Sequence, residues 1–171
     1  KAEEAVRALK LEGAKERALT EIDALRHGSP NNSWVHFVSG VLYRLNGEYD
    51  KALESYDRAL QLNPAESLVV SWGRARIRMY QGRYDEALME LDQGAAIQPD
   101  HPLLKAFRAE VLFFRGNVEG ARKLFEEVLR QHPSMEGIRP LYAQALSRLG
   151  QHEAAREQLS ERVKEIADLD H

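Results

Sequence analysis

The chain is 171 residues long, 43% apolar and 30% charged, with a net charge of -3. That balance predicts a soluble folded protein, either one compact domain or an extended array of smaller units, with no generic pull toward nucleic acid or an anionic membrane. Cysteine is absent, which excludes disulfides, thiolate metal sites and cysteine nucleophiles.

Taken in chain order, residues 2–11 and 14–27 read as a first pair of helices on their 3.6-residue apolar period. This start lacks Met and is already helical, so the chain is expected to be a piece of a longer one. It also lacks the apolar core of a secretory signal. First helices of later pairs are expected near 33–45, 67–81, 102–115 and 136–149. Second helices follow near 49–62, 84–97, 118–131 and 152–168. No stretch alternates with period two for long enough to predict a strand, and none approaches the ~18 uninterrupted apolar residues of a membrane span. Membrane insertion is therefore not expected, and a cytoplasmic home is the default.

The pairs repeat one phrase. Gly13, Gly47, Gly82, Gly116 and Gly150 recur at spacings of 34, 35, 34 and 34 residues. Five residues after each stands Ala18, Ala52, Ala87, Ala121 or Ala155, and nine after each stands Ile22, Tyr56, Leu91, Phe125 or Leu159. Pro30, Pro64, Pro99 and Pro133 follow four of the glycines by 17 residues. Proline has no backbone donor and disfavours helix in the residue before it, so it stops each second helix. Glycine permits the tight reversal between two helices, alanine lets their backbones approach, and the large residue fills the space beside them.

In residues 33–64 this phrase is clearest, as Gly40, Tyr43, Gly47, Tyr49, Ala52, Tyr56, Ala59 and Pro64. Here the chain resembles the tetratricopeptide repeat family. The family's early Trp slot holds His36, Ser71, Lys105 and Arg139, and the second alanine of the second helix becomes Gly94, Val128 and Arg162. The resemblance implies an all-α, right-handed α-solenoid of stacked antiparallel helix hairpins, a single array over 1–171. Its units are 1–30 (partial), 33–64, 67–99, 102–133 and 136–169 (divergent). No hairpin can bury its own apolar face, so neighbours bury it for one another.

The resemblance also implies that the first helices line a concave surface holding an extended or helical peptide. Two apolar stripes run along them. Val35, Val38 and Leu42 recur as Val70, Gly73 and Ile77, then Leu104, Phe107 and Val111, then Ile138, Leu141 and Ala145, and are expected to be packing core. The second stripe is Trp34, Phe37, Val41 and Arg44; Val69, Trp72, Arg76 and Met79; Leu103, Ala106, Glu110 and Phe113; and Gly137, Pro140, Gln144 and Ser147. The resemblance places it on the groove, with aromatic anchors for affinity and charges for register. Simple packing of Trp34, Phe37 and Trp72 against adjacent helices is the alternative.

Chaperone-binding members of the family use Lys and Asn in groove slots to hold a C-terminal carboxylate. Those slots here hold Phe37 and Val41, Trp72 and Arg76, and, in the first unit, Glu3 and Arg7. The groove is expected to suit apolar side chains rather than such a clamp. In "RARIR", Arg76 points away from Arg74 and Arg78. It either pairs with an acidic or phosphorylated ligand or is one of several solvated or internally paired arginines, with Arg83 nearby.

The residues offer little chemistry. His27, His36, His101, His132, His152 and His171 form no i, i+4 pair and no His-Glu-x-x-His setting, so no metal or cofactor is expected. Glu126–Glu127 and Asp168–Asp170 read as solvated face or tail, and no serine has a base or glycine elbow beside it. The expected function is non-enzymatic capture of a protein or peptide partner, without nucleic acid. The alternative is a structural, self-associating or spacer segment of a larger protein, such as the accessory region of an enzyme.

Overall fold

The computed structural model describes the backbone of residues 2–169 and the side chains of residues 13–160. The side chains of Glu3, Arg7, Arg162, Asp168, Asp170 and His171 lie outside the described residues. Regular structure among the described residues is helical throughout: α1 Ala2–Gly28, α2 Ser33–Leu45, α3 Tyr49–Leu62, α4 Ser67–Tyr80, α5 Tyr84–Ala95, α6 Pro102–Arg115, α7 Val118–Gln131, α8 Arg139–Arg148 and α9 His152–Leu169. Two compact units make up the chain, Lys1–Ile77 and Arg78–His171.

Four of the five periodic glycines turn the chain in the same way. Gly47, Gly82, Gly116 and Gly150 all have positive φ, between 73° and 99°. One residue further on, Glu48, Arg83, Asn117 and Gln151 donate their backbone N–H to Tyr43, Arg78, Leu112 and Leu146, at 2.8–2.9 Å. That six-to-one bond, with a left-handed glycine before its donor, closes the first helix of each hairpin and satisfies a carbonyl that would otherwise be orphaned.

Gly13 does not follow suit. The expected pair 2–11 and 14–27 is one continuous helix, α1. Gly13 sits in Leu-Glu-Gly-Ala-Lys-Glu, where strong helix formers on both sides hold the helix through it at a cost of about 1 kcal/mol. The last first-helix is also shorter than expected: residues 136–138 form a 3-10 turn and α8 begins at Arg139, with Pro140 in its first turn. Pro102 opens α6 in the same manner, whereas Pro64 begins a short 3-10 turn capped by Asn63, whose Oδ1 accepts from the Ala65 N–H at 3.2 Å.

In the first unit the core joins Tyr43, Ala52, Tyr56, Ala59, Val70 and Ile77. Tyr56 of α3 is fully enclosed, and its ring is wedged between two glycines. A methyl group added at Gly40 of α2 or Gly73 of α4 would lie 2.6 Å from the ring. Only glycine lets both helices approach so closely. The expected core stripe of α2 needs correction. Val35, Val38 and Leu42 are half-buried, while His36, Ser39, Gly40 and Tyr43 are buried. Polar residues can turn inward where they find a backbone carbonyl: Ser39 Oγ donates to the Val35 carbonyl at 2.7 Å, and His36 Nε2 contacts the Pro30 carbonyl at 2.9 Å.

In the second unit Ala109, Phe113, Ala121, Phe125, Tyr142, Ala143, Ala145 and Leu146 form one cluster across α6, α7 and α8. Phe125 takes the place in its hairpin that Tyr56 takes in the first unit, with its ring 6.1 Å from that of Tyr142. By repeat register Ala109 stands here where Gly40 stands beside Tyr56, and Leu141 where Gly73 does.

Candidate functional site

In the first unit, α2 begins at Asn32, whose side chain accepts from the Val35 N–H at 3.3 Å. This cap fixes the register in which Trp34, Phe37, Val41 and Arg44 follow one another along one stripe. Trp34 is 59% exposed. Its ring lies 5.2 Å from that of Phe37, which lies 5.9 Å from that of Tyr56. Three aromatic rings thus lead from the surface into the core. A large exposed ring seated on a buried one loses little conformational freedom on binding, which suits it to anchoring a partner.

The α4 members of the stripe continue this face. Val69 and Trp72 are half-buried, and Trp72 receives two cations: the Arg76 guanidinium at 4.9 Å from the ring centroid and that of Arg44 at 5.7 Å. Guanidinium over indole is a favourable, partly desolvated contact. Arg44 is only 7% exposed, so it does not stand free in solvent as a surface charge does. Burial holds the Tyr56 phenol above its ordinary pKa of 10.0, with Arg44 opposing that rise.

In the second unit the same stripe fares differently. Met79, Ala106 and Phe113 are buried, with Phe113 only 1% exposed and the Arg148 guanidinium 4.2 Å above its ring. They were expected to offer ligand surface and are instead packing residues, because Phe113 inserts among Ala109, Phe125 and Tyr142. Glu110 is half-buried, and Leu103 and Gln144 are exposed. The arginines of "RARIR" also separate. Arg74 pairs with Asp57, Arg78 lies 3.7 Å from Glu86, and Arg83 lies 2.6 Å from the same carboxylate. Internal pairing accounts for those three, and the Arg76 guanidinium lies over the Trp72 ring.

Two features leave almost no trace in the sequence. A polar cavity of about 630 Å³ in the first unit is lined by Asp23, Arg26, His36, Tyr43, Lys51 and Arg58, among others. There the Tyr43 hydroxyl donates to Asp23 Oδ1 at 2.7 Å and accepts from Arg26 at 3.2 Å, joining α1 to α2. The only signal in the sequence was the i, i+3 spacing of Asp23 and Arg26. A second cavity, of about 450 Å³, lies on α8 and α9 beside Ala143, Ser147, Ala155 and Leu159. Leu159 is 46% exposed, whereas Ile22, Tyr56, Leu91 and Phe125 at the equivalent step of other hairpins are buried. Among the described residues no helix is long and apolar enough to cross a membrane, and no cluster of three metal-ligating side chains forms.

Comparison with known proteins agrees with this architecture. Residues 43–111 and 112–170 match one tetratricopeptide repeat family pattern, and residues 2–67 match another. Among curated proteins, subunit 3 of the anaphase-promoting complex of Schizosaccharomyces pombe is 39% identical over 72 residues, 42% of this chain and 11% of that protein. The photosystem I assembly protein Ycf3 of Acaryochloris marina is 33% identical over 75 residues, 43% of this chain and 44% of that one. The chain thus spans less than half the length of these relatives. Among solved structures, MamA of Desulfovibrio magneticus superposes with a TM-score of 0.71 at 18% identity, covering 96% of this chain and 92% of that one. YrrB, a tetratricopeptide repeat protein with an unusual peptide-binding site, gives 0.60 at 17% identity, covering 92% and 81%. Periodic glycine turns, paired helices and these matches together establish that the chain belongs to the tetratricopeptide repeat family, with its all-α fold of stacked helix hairpins.

Proposed function

We propose that this chain is a non-catalytic protein-binding module, and that its α2–α4 face, carrying Trp34, Phe37, Val41, Val69 and Trp72, holds an apolar segment of a partner protein. The observation that carries this reading is Trp34, a tryptophan 59% exposed yet stacked on Phe37 above the buried Tyr56. An indole left largely in water forgoes burial energy, and anchored aromatic side chains dominate binding energy at interfaces. Repeat stacks of this family serve mainly as interaction scaffolds, and the fold neighbour YrrB has a peptide-binding site. Met79, Ala106 and Phe113 are apolar core residues and are not part of the proposed contact set.

A random peptide library displayed on phage supplies the test. The wild-type chain is expected to enrich clones rich in Trp, Phe and Leu. Replacing both Phe37 and Trp72 with Ala should weaken the enriched peptides at least ~30-fold while the helical circular dichroism is retained. No enrichment, or equal binding by the double variant, would sink this reading.

A second reading, further stacking onto α8–α9, is favoured by the half-exposed Leu159 beside its apolar cavity. The uncovered face of a repeat stack exposes apolar surface that another hairpin or another copy can cover. Sedimentation across a wide concentration range tests it: Leu159→Glu should abolish any self-association, and a strict monomer throughout counts against association between copies.

A further inference from the structure

Arg44 is electrostatically out of place. It is 7% exposed and lies between the Trp72 ring and the Tyr56 hydroxyl, and among the described residues no carboxylate pairs with it. Several other shielded cations among the described residues face carboxylates. Arg74 pairs with Asp57, Arg122 with Glu119 and Glu126, and Lys105 with Asp100 and Glu127. Arginine is almost never this buried unless paired, because removing a guanidinium from water costs several kcal/mol that an ion partner normally offsets. The Trp72 ring, 5.7 Å away, offsets part of this cost, since a cation over an indole recovers only a modest share.

The position of this charge is informative. Arg44 follows Phe37 by seven residues and Val41 by three on the same stripe of α2, so it ends the apolar strip described above. We propose that Arg44 is the receptor for one carboxylate, an aspartate or glutamate side chain of the bound segment, flanked by large apolar residues that sit on Phe37, Val41 and Trp72. This proposal rests on the reading of the α2–α4 face given above and adds the chemical class of its ligand. A carboxylate matches a guanidinium one for one and bidentately. A phosphate group, carrying between one and two negative charges at neutral pH, would leave charge uncompensated beside a single buried cation. The apolar surroundings then strengthen the ion pair, since desolvated charges attract more strongly than exposed ones.

The same library tests the proposal with the whole chain. Peptides enriched by the wild type should carry Asp or Glu next to Trp, Phe or Leu. Synthesised with an amidated C-terminus, the best of them should bind by fluorescence anisotropy. Replacing its acidic residue with the matching amide, or Arg44 with Gln in the protein, should each raise Kd at least about 30-fold. Combining the two changes should add little further loss, and Arg44→Lys should recover part of the affinity. Because a buried charge without a carboxylate partner is removed, Arg44→Gln should leave the Tm of the free protein unchanged or higher. Enriched peptides without acidic residues, an amide substitution without effect, or a requirement for a free C-terminal carboxylate would each overturn the proposal. A lowered Tm for Arg44→Gln would do the same, by making the side chain structural. In those cases the reading of the face survives as long as the Phe37 and Trp72 double variant loses the peptides. A library that yields no binders overturns both.

Discussion

The two units solve one packing problem with different side chains. In the first, Tyr56 sits nine residues after its turn glycine, with Gly40 and Gly73 against its ring. In the second, Phe125 holds the corresponding place, with Ala109 and Leu141 at the positions of Gly40 and Gly73. A fixed hairpin geometry leaves a fixed volume, so a larger ring is accommodated by smaller neighbours and a smaller ring by larger ones. Their surfaces diverge as well. The first unit keeps Trp34 in solvent, whereas the second folds Phe113 and Ala106 into the core and exposes Gln144. Equivalent register therefore does not make an equivalent face, because the accessibility of a stripe position depends on the neighbours that cover it.

Substitutions can break this comparison, beginning with the largest effect. Phe125→Ala removes a fully buried ring and should destabilise the second unit by ~3–5 kcal/mol in urea denaturation. A cost below about 1 kcal/mol would mean the cluster around Tyr142 closes over the gap. Next comes Gly73→Ala, which places a methyl group 2.6 Å from the Tyr56 ring and should cost ~1–3 kcal/mol. Alanine is the better helix former, so a neutral or stabilising result would contradict the wedge. Tyr56→Ala should make Gly73→Ala harmless, and that double variant sharpens the volume argument.

The smallest effect concerns the Tyr56 hydroxyl, which is buried beside the Arg44 guanidinium. Tyr56→Phe should change stability by at most about 1 kcal/mol at neutral pH, since a buried hydroxyl with at best one weak partner is removed. Its pH dependence is more telling. Burial raises the folded-state pKa above the ordinary 10.0, so folded and unfolded chains both keep the proton below pH 10. Above that value the unfolded chain loses its proton first, and stability falls as pH rises toward the folded pKa. Tyr56→Phe should make that fall shallower. Tyr43 and Tyr142, both raised chiefly by burial, should sustain what remains. Parallel stability curves from pH 9 to 11 would rule out a Tyr56 contribution.

Hairpin register was legible without coordinates because its signals are local. A glycine that must adopt positive φ and a proline that cannot continue a helix act within a few residues, and α2, α3, α6 and α7 start and end where those signals place them. Gly13 shows the limit of that logic. Its spacing matched, yet its neighbours favour helix, and α1 runs through it. The candidate face was only partly legible. Helical spacing put Trp34, Phe37, Val41 and Arg44 on one stripe, and it grouped Met79, Ala106 and Phe113, which are buried core residues, with them on equal terms.

The sequence by itself determined that the chain is a series of helix hairpins, where each hairpin turns, and which side chains share a stripe, because backbone sterics and the 3.6-residue period belong to neighbouring residues. Tertiary structure alone decided which members of a stripe meet solvent, since that depends on partners far along the chain. Phe113 is covered by a cluster reaching to Ala155, Arg44 lies on Trp72, and Trp34 stays open. Burial is a property of the assembled neighbours rather than of the residue, and the ligand chemistry proposed for Arg44 follows from it.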